Sequence, residues 1–558
     1  MAWSDPLRTP LPLILIRGFG GIGVEDEKRI AYQGFNDGTV YPGKRGENYI
    51  YEGLILRFLK SSWQYQDATN VVGYYGVPVV DIPELPDEIQ ALKLDPTYFA
   101  APPVTGQDKI DPQYKVVIDP GMARALIRSQ QGKDICRTVW VYRYYDLDDR
   151  NFVTYGKALV RLIAFIRALS RQQDGTEPKV NIIAHSMGGL LVREAIQCTY
   201  PKGEADKHIN KVVTLGTPHR GIAFQLLKEW IGIDAGDELN HFSPDFQKDP
   251  TKQAAFVNLD KYFPPERFLT VVGTNYRSYG VTVSSWANRL SSITGEFGAN
   301  YNRSDGLVKQ ISAQLPGAPR TFIHKCHGGP DSLVTARESF EIATRFFFGN
   351  VRARLRLHQA KILRGQDFFG KSEFYFGVSI KPRKVDFELF HQSAEAENCY
   401  GPFRQEDLGD PEVAFSWAGP GKLIWEGCLD TRSILDDPSV TPKDLVLRLE
   451  VYVSERDLFG IGFSDNIIFH KQYYLRALWP DKLQGGFQLY LHTGEEFAAK
   501  GYQVGQLPPM QKHSQGGWEF SVSGTGFQGT FVIEIDQVPE HGFPVPYETK
   551  DPLNTTTV

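Results

Sequence analysis

The chain has 558 residues, 41% of them hydrophobic and 23% charged, which is enough for more than one buried core and too apolar for a disordered polymer. A formal net charge of -5, with Lys and Arg scattered rather than blocked, excludes a nucleic-acid footprint. Cys136, Cys198, Cys326, Cys399 and Cys428 are odd in number and widely spaced, which argues against a disulfide framework and for a reducing compartment.

The first residues lack a basic n-region. The early apolar run at 11 to 16 is interrupted by Pro12 and ended by Arg17, too short for a signal-peptide core or a membrane span. The expected location is cytoplasmic, or outside by a route that uses no cleavable signal. That run reads as a buried strand, followed by the glycine-rich stretch from Arg17 to Gly23. A phosphate-binding reading of this loop is set aside, because the Gly-x-x-x-x-Gly-Lys pattern is absent and no acidic residue ends a following strand. Residues 24 to 135 are rich in Pro, Tyr and Asp and weakly periodic, so they read as a long insertion holding short helices near 49 to 59 and 120 to 127.

Regular structure resumes with a strand at 138 to 145 and a helix at 155 to 170. In that helix Leu159, Leu162, Ile163 and Ile166 form one apolar stripe. Val180, Ile182, Ile183 and Ala184 then read as a buried strand and 187 to 197 as a helix, so the chain turns sharply at Ser186 between small residues. Such a corner lifts a hydroxyl out of the sheet and aims the first helical N–H groups past it, towards any developing anion. A strand at 211 to 216 follows. The order β, α, β, α, β implies a parallel sheet whose sites lie at the carboxyl ends of its strands.

From 222 to about 263 the chain leaves the sheet. Leu226, Leu227, Trp230 and Ile231 make an apolar stripe that suits a cap over a greasy pocket, with Phe242 and Phe246 nearby, although a helix merely packed on the domain has the same pattern. A strand at 268 to 273, a polar excursion, the turn Ser304-Asp305-Gly306-Leu307-Val308 and a last strand from 319 follow. That strand leads to His324 and His327, of which His327 lies in the carboxyl-end loop where a site belongs; His324 is a supporting residue or the minor alternative. The His-x-Cys-His spacing does not suit a metal, because neighbouring strand residues point to opposite faces. The expected closing helix runs from 331 to 348, capped at Asp331 or Ser332 and ended by Gly349.

The run Ala184-His185-Ser186-Met187-Gly188 resembles the Gly-x-Ser-x-Gly elbow of α/β-hydrolase lipases, with alanine in first place. Thr214-Leu-Gly-Thr-Pro-His-Arg-Gly221 is similar to the segment that follows the elbow in those enzymes, and the resemblance extends over about residues 10 to 350. It implies a mostly parallel sheet with helices on both faces and a triad of Ser186, Asp305 and His327. It also implies an oxyanion hole from the backbone N–H groups of Phe19 and Met187. Arg17 stands where the family carries histidine, which leaves a backbone donor unaffected. His219 comes too early in the chain for the family's base. Histidine near neutrality can take the serine proton as the acyl bond forms, and a carboxylate behind it holds the tautomer and the imidazolium.

The activity so implied is serine carboxylester hydrolysis of lipid acyl esters, with a lipid or membrane surface as partner and no cofactor. Two alternatives stay open: an acyltransferase or lipid-anchor deacylase with the same triad, and a binding scaffold that retains only the fold.

From about 368 the pattern changes to period two. Phe374, Phe376, Val378 and Ile380 alternate, as do Leu445, Leu447, Leu449, Val451 and Val453, and then Phe531, Ile533 and Ile535, which predicts an antiparallel β-sandwich. Glu455, Asp457 and Asp465 near strand ends faintly resemble calcium- and lipid-binding sandwich modules, though an acidic turn is usually only solvated. The expected organisation is a catalytic domain at 1–355, with an insertion at 24–135 and a cap at 221–265. A β-sandwich at 366–545 and a tail at 546–558 complete it.

Overall fold

The computed structural model describes residues 10–18, 51–61, 63–72, 85–99, 118–129, 135–142, 144, 151–171, 175–222, 240–244, 248–276, 304–329, 331–363, 372–383, 385, 387–393, 396, 398–403, 423–430, 444–456, 466–478, 487–499, 503–505, 507–514 and 516–538. The chain divides into two compact units, residues 1–318 with 325–340, and residues 319–324 with 341–558.

A seven-stranded sheet dominates the α/β region, in the order β2-β3-β1-β4-β5-β6-β7. Its strands are β1 (Leu13–Ile16), β2 (Gln66–Asp67), β3 (Thr138–Tyr142), β4 (Val180–His185), β5 (Ile209–Leu215), β6 (Phe268–Gly273) and β7 (Arg320–Ile323). Neighbours from β2 through β6 pair in parallel. Both faces of the central strands are covered, so β1, β3 and β4 are buried along their whole length and read as apolar runs rather than alternations. The polar Asn181 inside β4 is accommodated because Asn210 Nδ2 donates to its Oδ1 at 2.9 Å.

The helices α1 (Glu52–Lys60), α2 (Asp87–Ala91), α3 (Pro120–Ser129), α4 (Phe152–Leu169), α5 (Met187–Glu194), α6 (Ala205–His208), α7 (Pro250–Ala255) and α8 (Arg337–Phe348) accompany the sheet. The expected stripe of α4 is buried. This helix begins three residues before the expected start at 155, because the side chain of Asn151 accepts from the Val153 N–H and caps it. The elbow helix α5 passes into a π turn at Ala195–Thr199, where Gly156 of α4 comes so close that a Cβ there would lie 2.9 Å from Glu194 and 2.6 Å from Thr199.

An edge strand and the closing helix also differ from the sequence expectation. The stretch expected as an insertion contributes an edge strand, β2, which is tied along β3 by Gln66 N–H to Arg137 O at 2.7 Å and Ala68 N–H to Val139 O at 2.9 Å. Two residues are too few to show a period. The closing helix starts at Arg337 rather than 331, because residues 326 to 333 are held together by Cys326 N–H to Asp331 O and Leu333 N–H to Cys326 O. Asp331 and Ser332 therefore brace a loop instead of capping a helix.

The C-terminal unit carries the two antiparallel sheets of a sandwich. One runs β10-β9-β13-β14-β15 with β11 beside β9, the other β12-β8-β18-β17-β16. These are β8 (Val351–Ile362), β9 (Glu373–Pro382), β10 (Phe390–His391), β11 (Tyr400–Phe403), β12 (Leu423–Leu429), β13 (Asp444–Arg456), β14 (Asn466–Leu478), β15 (Gln488–His492), β16 (Gln511–Lys512), β17 (Trp518–Ser523) and β18 (Phe527–Gln537). Phe376 of β9 and Phe469 of β14 meet Phe527 of β18 at ring-centroid distances of 6.0 and 5.4 Å, so aromatic side chains bridge the two sheets. Arg352, Arg354 and Arg356 of β8 face Glu534 and Asp536 of β18 in a ladder of ion pairs. Asp457 and Asp465, the expected acidic turn, lie outside the described residues.

Phe527 is fully buried at this junction. Phe527→Ala is expected to destabilise the sandwich by about 3–5 kcal/mol, read as a lower urea midpoint for the transition that exposes its tryptophans. A change below about 1 kcal/mol would show that the two sheets do not depend on this aromatic contact.

Candidate active site

The sheet grows in opposite directions from β1, since β3 lies on one side of it and β4 on the other. The carboxyl ends of β1 and β4, where the strand order reverses, are the usual site position in a wound parallel sheet. Ile16 pairs with Ala184, so Gly18 and Ser186 leave the sheet side by side.

Ser186 has φ 52 and ψ -127, a backbone conformation that L residues rarely adopt and that costs about 1–3 kcal/mol. It is held there because its N–H donates to Leu215 O at 2.9 Å and its carbonyl accepts from Gly189 N–H at 3.1 Å. Space around the corner is made by glycine. A Cβ on Gly18 would lie 2.6 Å from the Ser186 Cβ, and one on Gly188 would lie 2.6 Å from Arg17 O. This is the strained strand-to-helix corner expected of the elbow.

The other two expected residues converge on that hydroxyl. His327 Nε2 lies 2.9 Å from Ser186 Oγ, and its Nδ1 lies 2.8 Å from Asp305 Oδ2. All three are buried. Asp305 uses its two oxygens for different ends: Oδ1 accepts from the N–H groups of Leu307 and Val308 at 3.1 and 2.8 Å and builds the tight turn, while Oδ2 is left for histidine. The Asp305 carbonyl also accepts from His327 N–H at 2.8 Å, so the two loops are joined by backbone as well as by side chains. With a carboxylate on Nδ1, that nitrogen carries the proton and Nε2 accepts from the serine O–H. Gly216, at φ +57, has no Cβ to strike Asp305 Oδ2 and His327 Nδ1, which would be 2.8 and 3.1 Å away.

The remaining expected residues have separate fates. Met187 opens α5, which puts its N–H in the first turn, where intrahelical partners are lacking. Phe19 lies outside the described residues, as do Leu226, Leu227, Trp230, Ile231 and Phe246. The described residues that bracket this excursion are pinned together, Ile222 N–H donating to Asn240 Oδ1 at 2.8 Å. Phe242 is packed beneath the Arg193 guanidinium, 4.2 Å from its ring, and His241 bonds Glu194 at 2.8 Å, so this part of the expected cap is core. Burial draws Arg193 down to about 9, still cationic at neutral pH. His219 is fully buried, with Nε2 3.1 Å from Thr214 Oγ1, and His324 is half-buried beyond β7. Among the described residues no three His, Cys, Asp or Glu side chains gather as a metal site requires.

Three residues beside the site had no assigned role in the sequence reading. Tyr51, next to α1, accepts from Gly18 N–H at 2.9 Å and lies 2.7 Å from His185 Nδ1. His185 Nε2 lies 2.9 Å from the His327 carbonyl. Tyr144 Oη donates to Gly18 O at 2.8 Å. The signal in the sequence is His185 itself, the variable position of the elbow motif; Tyr51, in a weakly periodic stretch, and Tyr144, at the end of an expected strand, carry none.

Residues 142–259 match the family model described as PGAP1-like alpha/beta domain. A "Triacylglycerol lipase" of Pseudarthrobacter phenanthrenivorans is 30% identical over 178 residues, or 31% of this chain, which spans 45% of that relative's length. Among solved structures, Bacillus licheniformis lipase BlEst2 is 19% identical, covers 35% of this chain and 73% of its own, and has a TM-score of 0.26. Phospholipase PlaB from Legionella pneumophila is 12% identical, with 60% and 85% covered and a TM-score of 0.26. The sheet and the elbow give the α/β region an α/β-hydrolase fold, and within it residues 142–259 resemble the PGAP1-like alpha/beta domain.

Burial, and for His185 the nearby His327 as well, holds the pKa values of His185 and His219 well below the ordinary 6.5. Both are neutral when folded, whereas the unfolded chain takes up two protons as pH falls through about 6.5. Stability is therefore complete above that pH and declines below it, by up to about 1.4 kcal/mol per pH unit for each histidine. Urea midpoints measured between pH 7.5 and 5 are expected to fall, and less steeply for His219→Asn. An equally steep decline in that variant would exclude His219 as a source.

Proposed function

We propose that this protein is a serine carboxylester hydrolase acting on lipid acyl esters. The observation that carries this reading is the unbroken line from Ser186 Oγ through His327 to Asp305, at 2.9 and 2.8 Å. Ser186 attacks the ester carbonyl while His327 takes its proton, and Asp305 stabilises the imidazolium so formed. The tetrahedral oxyanion is met by N–H groups at the start of α5, with Met187 as one donor and Phe19 as the proposed second. His327 then returns the proton to the departing alcohol, leaving an acyl-enzyme that water cleaves by the reverse steps. This sequence uses no coenzyme.

The lipid class of substrate is supported by the resemblance to a bacterial triacylglycerol lipase, 30% identical over 178 residues. A lipid surface is the corresponding partner. The sandwich is proposed to assist delivery to such a surface, its two sheets forming a module with its own core.

The test is product analysis with radiolabelled triacylglycerol and phospholipid in mixed micelles, with and without an added alcohol. Release of free fatty acid, reduced about ten-thousandfold by Ser186→Ala and about a thousandfold or more by Asp305→Asn, is expected. Transfer of most acyl groups to the added alcohol would replace the hydrolase with an acyltransferase. Activity unchanged in Ser186→Ala would refute the reading.

A further inference from the structure

The residue before the nucleophile is fully committed to one hydrogen-bonded chain. The His327 carbonyl can only accept, so His185 Nε2, 2.9 Å away, must carry the ring proton. His185 Nδ1 is then an acceptor, and the Tyr51 O–H, 2.7 Å away, must donate to it. The Tyr51 oxygen in turn accepts from Gly18 N–H at 2.9 Å. Every proton in the chain Gly18 N–H, Tyr51 O–H, His185 Nε2–H and His327 O therefore has one place. Burial keeps the His185 ring neutral, so this polarity does not reverse near neutral pH.

The two ends of this chain are the two backbones that must be held against Ser186. At one end is Gly18, whose Cα comes so close to the nucleophile that a Cβ would lie 2.6 Å from the serine Cβ. Its carbonyl is held separately by Tyr144. At the other end is the peptide of His327, whose ring lies 4.8 Å from that of His185, centroid to centroid. Tyr51 is itself anchored by α1, where Arg57 Nη1 donates to Thr335 O at 3.1 Å and Phe58 packs on Phe340 at 4.9 Å.

Resting on the hydrolase reading, we propose that Tyr51 and His185 are positioning residues for the reaction at Ser186. They form a relay that locks the His327 loop and the Gly18 backbone to the same corner. Neither touches the reacting atoms. Their effect is to keep His327 Nε2 within proton-transfer distance of Ser186 Oγ through the whole cycle. This gives α1, the first described helix of the 24–135 stretch, a part in catalysis.

The experiment is steady-state hydrolysis of a soluble short-chain p-nitrophenyl ester by the full chain, with thermal midpoints measured in parallel. Tyr51→Phe removes one O–H and leaves the ring. It is expected to lower kcat roughly tenfold to thirtyfold with KM within about twofold. His185→Leu should lower kcat at least as far, and His185→Gln, whose amide can still donate to the His327 carbonyl, should recover part of the loss. The double variant Tyr51→Phe/His185→Leu should lose no more than the worse single one, as expected of two residues acting through one chain. If Tyr51→Phe does not fold, the His185 pair carries the test alone. No ester turnover by the wild-type chain would sink the hydrolase reading itself. An active wild type, with both Tyr51→Phe and His185→Leu within twofold of its kcat, or with fully additive losses, would overturn the relay and leave that reading intact.

Discussion

A single strained residue organises the α/β region. Ser186 sits at φ 52, and everything within reach of it is arranged to make that conformation tolerable. Leu215 at the end of β5 accepts its N–H, and glycine stands at 18 and 188, where any side chain would collide with the corner. The strain has a chemical return. A relaxed βα turn would let the hydroxyl fall back towards the sheet, whereas this one projects it beyond the ends of β1 and β4 to His327, with a helix N-terminus beside it.

The partners of that hydroxyl come from loops rather than from strands, and loops need fastening. Asp305 fastens its own turn with one carboxylate oxygen and the His327 ring with the other. The His327 loop is braced from three sides, by the Asp305 carbonyl, by Cys326 and Leu333 pairing across it, and by His185. A histidine gripped in this manner has little freedom to turn away, which is the preorganisation that the proposed general base needs.

Much of this is legible in the sequence. The strand-to-helix change at Ser186, the apolar runs of the parallel strands and the period-two pattern after 368 are local signals, and each recorded the face that its segment buries. Asp305 and His327, which the structure brings to Ser186, are expected from motif and chain order, since a resemblance carries long-range information that periodicity lacks. What escaped were features set by distant partners. The edge strand at Gln66–Asp67 exists because β3 offers it a free side, and residues 331 to 336 stay out of the closing helix because Cys326 competes for their backbone. Tyr51 and Tyr144 were illegible for the same reason: nothing near them in the chain says that their hydroxyls reach Gly18.

The central claim is that the Ser186 hydroxyl is activated by His327. Its most direct test is mass-spectrometric mapping of the native chain after treatment with an alkyl fluorophosphonate. The account predicts one adduct, on the peptide containing Ser186, formed far more slowly in His327→Ala and absent after unfolding in urea. An adduct on another residue, or labelling of Ser186 at an equal rate without the imidazole, would contradict it.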